Sequence, residues 1–527
     1  MTPDSPPGWA VAHARRRPAA PAVDGPGLRL GYGALADRLR ALAADLRAAG
    51  VGPGRRVVLA LPHEPLAAVA LLAVQATGAC AVPVLRETSD DPLRQVLRQT
   101  GARHAVIWSP DLGRWASLAA GAALARLWVA VDGAPGPLPP VGQVPATALG
   151  PDGATAGPER PPLEPVAVAP GDEALVLYTS GSTGQARGVI QTFRNVAANS
   201  RSIVAYLGLG EADRAMAILP LFYCYGLSVL QTHLLAGASV FLDPRFAFPR
   251  VVVEAIEAER CTGLAGVPLT FEILRRDVGP ELLERVVRRG ALRYATQAGG
   301  AMAPETIAWA RAALAPARLF VMYGQTEATA RLAYLPPERA AEKAGAIGVP
   351  IPGVDLRVVD PGGRELPPGE VGELVARGEN VTAGYLDAPE ETAATFRGGA
   401  LHTGDLGYRD RDGFFFLVGR SKEMLKVGGH RVSPLEIERV LSRHEAVREV
   451  AVAGLPDPLR GEVPAAFVVP RDGAAPGEGE LRAFCRRALP AHCVPQAVFF
   501  LPALPRSGAG KVLKQELVRA AGAAREA

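Results

Sequence analysis

Cysteine is scarce in this chain of 527 residues, and the five cysteines are isolated from one another. They lie at positions 80, 224, 261, 485 and 493, so none forms a CxxC pair, and their number is odd. A disulfide framework and a cysteine-based zinc site are therefore not expected. The pattern fits a reducing location, and we expect the protein to be cytoplasmic.

The sequence also predicts neither a signal peptide nor a clear membrane-spanning run. Its first twenty residues carry prolines and charges where a signal peptide has an apolar core. The most apolar stretch, residues 65–84, contains Gln75, Gly78 and Pro83 and is barely long enough to cross a bilayer. We interpret it as a buried helix that leads into a core strand, and predict no membrane span.

A strong excess of charge of one sign is missing as well. Fifty-seven Lys and Arg residues face 53 Asp and Glu residues, which gives a net charge of +4. This balance argues against nucleic acid as a substrate, although it is compatible with a basic rim around a phosphate-bearing ligand.

What is present is an alternation of predicted helices and strands. Residues 32–49 have helical spacing and end before Gly50, and residues 56–61 and 104–108 are short apolar runs typical of buried parallel strands. The alternation predicts an α/β fold. Residues 132–172 are rich in Pro, Gly and Ala and predict a surface excursion or lid. A charged turn at residues 419–423 predicts a boundary between a large domain, 1–418, and a small one, 419–527, which ends in a helix over 512–521.

A glycine-rich segment, YTSGSTGQARGV at residues 178–189, directly follows a predicted strand. Successive backbone N–H groups in such a loop can form a concave anion site, and Arg187 adds a charge suited to phosphate oxygens. The spacing matches neither a Walker A loop nor the dinucleotide fingerprint. Composition alone leaves open a Ser/Gly-rich turn without a ligand.

This segment resembles the phosphate-binding signature of the adenylate-forming superfamily, which includes acyl-CoA synthetases, peptide-synthetase adenylation domains and luciferases. Further segments resemble the later motifs of that family in the same order: LPLFYCYGL (219–227), QAGGA (297–301), MYGQTE (322–327), GEL (372–374), GY (384–385), HTGD (402–405), GRSKEMLKVGGHRV (419–432) and PRSGAGK (505–511). The resemblance implies that family's fold: a large α/β domain of several subdomains followed by a small, mobile α+β domain.

The resemblance also implies a site for ATP or AMP. Its expected residues are Thr179, Ser180, Gly181, Ser182, Thr183, Gly184, Arg187, Gly299, Gly300, Ala301, Tyr323, Gly324, Thr326, Asp405 and Arg420. Tyr323 would pack on the adenine, and Asp405 and Arg420 would hold the ribose. Glu327 is the candidate ligand of Mg²⁺, which takes only one or two protein carboxylates beside phosphate and water.

By the same resemblance, the chemistry would fall to Lys511, Glu327 and Thr179. Lys511 would bridge the acyl carboxylate and the α-phosphate during adenylation. The small domain would then rotate about Lys422 and present a thiol channel, for which the expected residues are Lys426, Gly428, Gly429 and Arg431. The two glycines could equally form a simple turn between strands.

The acyl group is expected to lie against Phe222, Tyr223, Tyr225 and Gly226. No aspartate occurs in this aromatic segment, where amino-acid-activating relatives carry an acid, so it favours an aryl or alkyl acid. The sequence departs from the family at three positions: Arg187 replaces a lysine, and Phe193 and Tyr223 stand where many members have histidine. These departures bear on pyrophosphate contacts, substrate and acceptor.

The predicted function is that of an AMP-forming ligase, which converts a fatty or aryl acid to its acyl-adenylate and transfers the acyl group to coenzyme A. One alternative acceptor is the phosphopantetheine thiol of a carrier protein. A luciferase-like oxidoreductase and a nucleotide-binding module that has lost catalysis are further alternatives. The presence of Glu327, Asp405, Arg420 and Lys511 argues against the last of these.

Overall fold

The structure of the protein, a computed structural model, describes residues 4–119, 121–155, 161–180, 186–506 and 512–526. Its helices are α1 Pro6–Arg16, α2 Tyr32–Ala48, α3 Pro65–Ala76, α4 Asp90–Thr100, α5 Leu112–Ala119, α6 Phe193–Leu207, α7 Cys224–Ala236, α8 Pro249–Ala258, α9 Pro268–Asp277, α10 Pro280–Arg289, α11 Pro304–Ala313, α12 Pro389–Thr395, α13 Pro434–Leu441, α14 Glu478–Arg486 and α15 Lys514–Glu526.

Its strands are β1 Pro21–Gly25, β2 Leu28–Gly31, β3 Arg56–Ala60, β4 Cys80–Pro83, β5 His104–Trp108, β6 Arg126–Ala130, β7 Ala146–Leu149, β8 Glu173–Ser180, β9 Ala186–Thr192, β10 Arg214–Ala217, β11 Ser239–Leu242, β12 Gly263–Gly266, β13 Tyr294–Gln297, β14 Arg318–Tyr323, β15 Ala333–Leu335, β16 Ala346–Pro350, β17 Val354–Val359, β18 Gly372–Gly378, β19 Gly384–Tyr385, β20 Phe396–Arg397, β21 Ala400–Arg409, β22 Phe415–Arg420, β23 Leu425–Val427, β24 His430–Val432, β25 Val447–Asp457, β26 Gly461–Pro470 and β27 Ala497–Phe500. The alternation confirms the predicted α/β class.

The first sheet has eight strands in the order β19-β9-β8-β4-β3-β5-β6-β7. Strands β8 and β9 form an antiparallel hairpin at one side, and the neighbours from β8 to β7 pair in parallel. Helix α3 contacts β3 and β4 of this sheet and β1 of the next, and all of its residues are buried. Burial on all sides explains its nearly uniform apolar sequence and confirms the predicted buried helix followed by a core strand. In the described part of the excursion predicted over residues 132–172, the structure has one short strand, β7.

The second sheet has fourteen strands, thirteen of them along the path β17-β18-β21-β22-β16-β15-β14-β13-β12-β10-β11-β1-β2, with β20 beside β21. The strands from β14 to β1 are parallel. Three of the motif segments, at residues 219–227, 297–301 and 322–327, lie at the carboxyl ends of β10, β13 and β14. Ligands of open α/β sheets bind in the crevice outside these ends, so the topology alone brings the three motifs to one crevice.

The third sheet is small and carries its own core. Its order is β24-β23-β26-β25, with β27 beside β26. Alternate side chains of β25 and β26 face opposite ways: Val452 and Ala466 pack with α13 and α14, whereas Ala453 and Phe467 pack with α15. The last helix begins at Lys514, two residues later than predicted.

The connection between the large and small sheets runs through residues 421–424. Strand β22 belongs to the second sheet and ends at Arg420, and β23 of the small sheet begins at Leu425. The predicted boundary at Gly419 falls one residue before the end of β22. A division of the chain into two domains at this point stays a proposal.

Candidate active site

The glycine-rich segment is held at both ends by the β8–β9 hairpin. Thr179 pairs in register with Arg187, and Tyr178 pairs with Gly188. The predicted phosphate-binding residues Gly181, Ser182, Thr183 and Gly184, and the side chain of Ser180, lie outside the described residues. The hairpin nevertheless fixes where this segment leaves the sheet, since the strand before it and the strand after it are paired.

Arg187 lies in this hairpin next to the GY motif. Its guanidinium carbon is 5.6 Å from the ring centre of Tyr385, and its Nη2 is 3.9 Å from Oε1 of Glu391. The side chain is 19% exposed. The cation that replaces the family's lysine is thus positioned over an aromatic face, which a guanidinium suits better than an ammonium does.

Glu327 lies on a 3₁₀ turn, Thr326–Ala328, that follows β14 closely. The hydroxyl of Tyr385 donates to its Oε1 at 2.8 Å, and its backbone oxygen accepts from the N–H of Thr382 at 2.9 Å. The carboxylate is partly exposed. These contacts fix the orientation of an oxygen ligand of the kind that Mg²⁺ prefers. Among the residues described, no group of three or more His, Cys, Asp or Glu side chains is placed to bind a metal ion.

The turn that carries Glu327 is tied to two other motif segments. Gln191 of β9 donates through Nε2 to the backbone oxygens of Thr326, at 3.2 Å, and Thr329, at 3.1 Å. The Thr326 hydroxyl donates to Sγ of Cys224 at 3.5 Å. A Cβ on Gly324 would lie 2.1 Å from a backbone oxygen, so this position requires glycine. The phosphate-signature hairpin, the acyl segment and the YGQTE turn therefore meet.

Tyr323, Asp405 and Arg420 form one hydrogen-bonded group. The Tyr323 hydroxyl donates to Oδ2 of Asp405 at 2.6 Å, and Nε of Arg420 lies 3.0 Å from Oδ1. Asp405 and Arg420 are opposite each other in the β21–β22 register. Tyr323 and Asp405 are buried, whereas 44% of the Arg420 side chain is exposed.

Neighbouring charges and burial shift the pKa values within this group. Burial, followed by the charge of Asp405, raises the pKa of Tyr323 well above its ordinary value. The charge of Asp405 raises the pKa of Arg420 despite the opposing effect of burial, and Glu327 lies close enough to contribute. The site therefore brings together a carboxylate, a guanidinium and a phenol that resists deprotonation.

The predicted acyl segment lies against the QAGGA loop. A Cβ on Gly299 would be 2.9 Å from the hydroxyl oxygen of Tyr223, and Gly299 has a φ of +86°, which favours glycine. Residues 299–301 are exposed, whereas Tyr225 is buried and its hydroxyl lies 2.7 Å from Oγ1 of Thr296. Phe222 is partly buried. Gly226 lies near the start of α7, where a Cβ on it would be 2.2 Å from the backbone oxygen of Pro220.

The predicted thiol-channel residues share one hairpin. Gly428 and Gly429 form the two-residue turn between β23 and β24, with φ values of +55° and +86°. Such turns favour glycine, so the turn alone accounts for both residues. Lys426 and Arg431 are exposed and face each other across the strands. Lys422 is exposed in the connection between the sheets. Lys511 lies outside the described residues.

Two residues that sequence reasoning left without a role lie at this site. Tyr385 belongs to the GY motif, but only the fold shows that its hydroxyl reaches Glu327. Arg331, four residues after Glu327, is 3% exposed and lies over the ring of Tyr225 at 4.1 Å. The one sequence signal for it is a lone cation in the otherwise apolar run ARLAYL.

The five cysteines are all buried and unpaired. Within the part of the chain that the structure describes, no helix combines the length and the apolar character that a membrane crossing requires.

Comparison with known proteins gives matches over nearly the whole chain. The family model of AMP-binding enzymes matches residues 11–386, and that of the AMP-binding enzyme C-terminal domain matches residues 436–511.

Curated relatives and solved structures match with similar breadth. A feruloyl-CoA synthase of Amycolatopsis is 37% identical over 517 residues, which cover 98% of each chain. A sulfoacetate–CoA ligase of Cupriavidus necator is 34% identical, over 93% of this chain and 92% of its own. The crystal structure of a benzoate CoA ligase from Burkholderia xenovorans superposes with a TM-score of 0.86 at 26% identity, over 97% of this chain and 99% of that one.

Proposed function

Because this chain belongs to the family of AMP-binding enzymes, we propose that it converts a carboxylic acid to its acyl-adenylate and passes the acyl group to coenzyme A. The family and the relatives identify an AMP-forming ligase of acids and thiols that uses ATP and coenzyme A. The proposal adds the acid, which we take to be an aryl or alkyl carboxylic acid, the role of each residue, and the cytoplasm as its location.

One observation carries the proposal. The hydrogen-bonded group of Tyr323, Asp405 and Arg420 lies beside the Glu327–Tyr385 pair, and both are built at the carboxyl end of β14. A nucleotide needs an acceptor for its ribose hydroxyls and an oxygen ligand for the cation on its phosphates. Asp405 and Glu327 offer these two functions at neighbouring positions.

In the first half-reaction, an oxygen of the substrate carboxylate would attack the α-phosphorus of ATP, and pyrophosphate would leave. Two anions must approach each other in this step, so cationic stabilisation is required. Glu327, with its orientation fixed by Tyr385, would hold Mg²⁺, which supplies charge neutralisation at the phosphate oxygens when bound. We assign Arg187 to the phosphate side of the site, together with Thr179 and the segment that follows it.

Lys511 is the proposed cation at the reacting carboxylate. The PRSGAGK segment that contains it joins β27 to α15, both of which belong to the small sheet's layer structure. A rotation of this layer about Lys422 would exchange Lys511 for the β23–β24 hairpin. Such an exchange of two faces at one site is a hinge-type domain movement.

In the second half-reaction, the thiolate of coenzyme A would attack the acyl carbonyl carbon and AMP would leave. The exposed pair Lys426 and Arg431 supports coenzyme A as the acceptor. Like charges directly opposite in a hairpin repel each other, and a phosphate group bound between them would relieve that repulsion.

The test is pyrophosphate release with ATP, Mg²⁺ and a panel of aryl, short, medium and long acids, followed by thioester detection with coenzyme A. Lys511→Ala should lower acid-dependent release by about 10²–10³-fold. Arg364→Ala is the matched control, because Arg364 is 88% exposed and paired with Asp360 on the surface.

Each result has a distinct meaning. Acid-dependent release in the wild type that collapses only in Lys511→Ala supports adenylation. Thioester formation with a phosphopantetheinylated carrier protein, but not with coenzyme A, would identify the carrier protein as the acyl acceptor in place of coenzyme A. Absence of release with every acid, in folded protein that binds ATP, would contradict the proposal and favour a nucleotide-binding module.

A further inference from the structure

A small cavity of about 20 Å³ lies behind the motif segments. Four of its lining residues belong to those segments or lie near them in the chain: Tyr225 is in the acyl segment, Thr296 precedes QAGGA, Met322 begins MYGQTE, and Arg331 follows Glu327 by four residues. The cavity is therefore lined in part by the segments that border the crevice, on the side of the acyl segment. An acid whose carboxylate lay in the crevice could extend toward this space.

The position of Arg331 on this cavity is unusual for a charged side chain. It is 3% exposed, its Nε donates to Sδ of Met322 at 3.4 Å, and its Nη1 donates to the backbone oxygen of Ala330 at 3.1 Å. Its guanidinium also lies over Tyr225. Within the described part of the chain, no carboxylate forms an ion pair with it. A buried charge without a counter-charge is costly, so the fold keeps this one at an energetic expense.

The rest of the lining does not neutralise this charge. Nδ1 of His233 lies 2.7 Å from the backbone oxygen of Val229, so it carries the hydrogen, and Nε2 then accepts from the Tyr294 hydroxyl at 2.9 Å. Burial lowers the pKa of His233 to about 4, so the imidazole is neutral at physiological pH. Tyr225 and Thr296 bond to each other. Among the described residues that line the cavity, Arg331 is accordingly the only charged one.

The floor of the cavity is kept open by small residues. Gly263 and Ala265 of β12 line it, and a Cβ on Gly263 would lie 2.1 Å from the ring of Tyr294. Arg331 thus shares the lining of this space with the hydroxyl-bearing residues Tyr225, Tyr294 and Thr296, which is the arrangement of a pocket with a few converging polar groups.

We propose that Arg331 determines the acid this enzyme activates, by binding an oxygen substituent at the end of the acid remote from the reacting carboxylate. The substituent we expect carries an oxygen that accepts hydrogen bonds from the guanidinium. A second carboxylate, a sulfonate and a phenolic oxygen all have this property. This inference rests on the proposed function. An acid with a methyl group at that end would leave the charge buried and unpaired.

The test is a panel of acids that are matched in length and differ only at the far end. Phenylpropenoic acids with a para methyl, hydroxyl or carboxylate group form one series, and C4–C6 aliphatic acids with their ω-carboxy counterparts form another. Pyrophosphate release gives kcat/KM for each acid with the wild type, Arg331→Lys and Arg331→Met. Circular dichroism and Tm identify any variant that fails to fold.

We expect the wild type to favour an acid with a terminal oxygen over its methyl counterpart. Arg331→Met should lower kcat/KM for that acid by about 30-fold or more, mainly through KM, because one member of a buried charged pair is lost. Its kcat/KM for the methyl acid should stay within about threefold or rise, and Arg331→Lys should retain part of the preference. The carboxylate and hydroxyl arms identify which oxygen group is bound.

Two outcomes would overturn the inference. One is a parallel loss for all acids in Arg331→Met, which would mean that Arg331 only supports Tyr225 and the turn. The other is a wild type that prefers the methyl acids. Both differ from failure of the proposed function, in which the wild type releases no pyrophosphate with any acid of the panel.

Discussion

Tyr385→Phe removes one oxygen atom and tests whether Glu327 needs to be oriented. The hydroxyl of Tyr385 donates to Oε1 of Glu327 at 2.8 Å, and its ring packs edge-on against Phe396 and beneath Arg187. Phenylalanine preserves the ring contacts, so the change is confined to the hydrogen bond. Tyr385 is thus a positioning residue, which acts through Glu327.

The magnitude follows from the kind of bond that is lost. A hydrogen bond to a charged group contributes about 1.5–3 kcal/mol, and we take the lower end because Glu327 is partly exposed. At about 1.4 kcal/mol for each factor of ten, kcat/KM for MgATP should fall about tenfold. More free Mg²⁺ should be needed to reach the maximum rate.

The assay is initial pyrophosphate release with varied Mg²⁺ at saturating acid. Tyr408→Phe is the matched control: its ring stacks on Phe416 at 5.0 Å, and its hydroxyl makes no hydrogen bond to the described residues. The control should keep wild-type rates. If Tyr385→Phe stays within about twofold of the wild type at every Mg²⁺ concentration, Glu327 does not depend on this contact and its assignment to the metal loses its main support.

Three further predictions concern the same region. Asp405→Asn keeps the shape of the side chain but turns an N–H group toward Tyr323 or Arg420. The rise in Tm on addition of ATP should be largely lost, and the free energy of unfolding should fall by about 1.5–3 kcal/mol. A variant that keeps the ATP-dependent rise in Tm would contradict the ribose role. Burial lowers the pKa of His233 to about 4, so below about pH 6.5 the imidazole is protonated in the unfolded chain before it is protonated in the folded one. The free energy of unfolding should therefore fall as the pH is lowered from 6.5 toward 4, by about 2 kcal/mol between pH 7 and pH 5. Urea unfolding of His233→Gln should not show this loss. Gly324→Ala would place a Cβ 2.1 Å from a backbone oxygen and should strongly lower activity, whereas Gly210→Ala, which has open space, should not.

Much of the fold could be predicted because its signals are local. The apolar run at residues 65–84 identified a helix with all sides buried followed by a strand, and the structure places α3 between two sheets. The family of the chain was also accessible, since each motif is a short contiguous phrase. The glycine-rich hairpin and the YGQTE turn are such phrases, and their order along the chain was sufficient to identify the family.

The pairings within the site could not be predicted, because they join residues that are remote in the chain. Tyr385 and Glu327 are 58 positions apart, and Tyr323 and Asp405 are 82 positions apart. Their contact depends on which strands are neighbours and in what register, and a single sequence does not specify this. Arg331 illustrates the same limit: the sequence shows a cation in an apolar run, but only the fold shows that it borders the cavity and that no carboxylate among the described residues pairs with it.

The contacts around the connection between the sheets bear on the proposed pivot at Lys422. Just before it, Arg420 is held to the large sheet by Asp405. Just after it, Glu423 is bound to Lys514 of the small domain at 3.4 Å, and Lys514 also pairs with Glu438 at 2.9 Å. We infer that rotation of the small domain would be confined to the residues between these two anchors. The proposed ribose-binding pair, Asp405 and Arg420, could then stay in place while Lys511 and the β23–β24 hairpin exchange, so that the adenylate formed in one half-reaction would remain bound for the next.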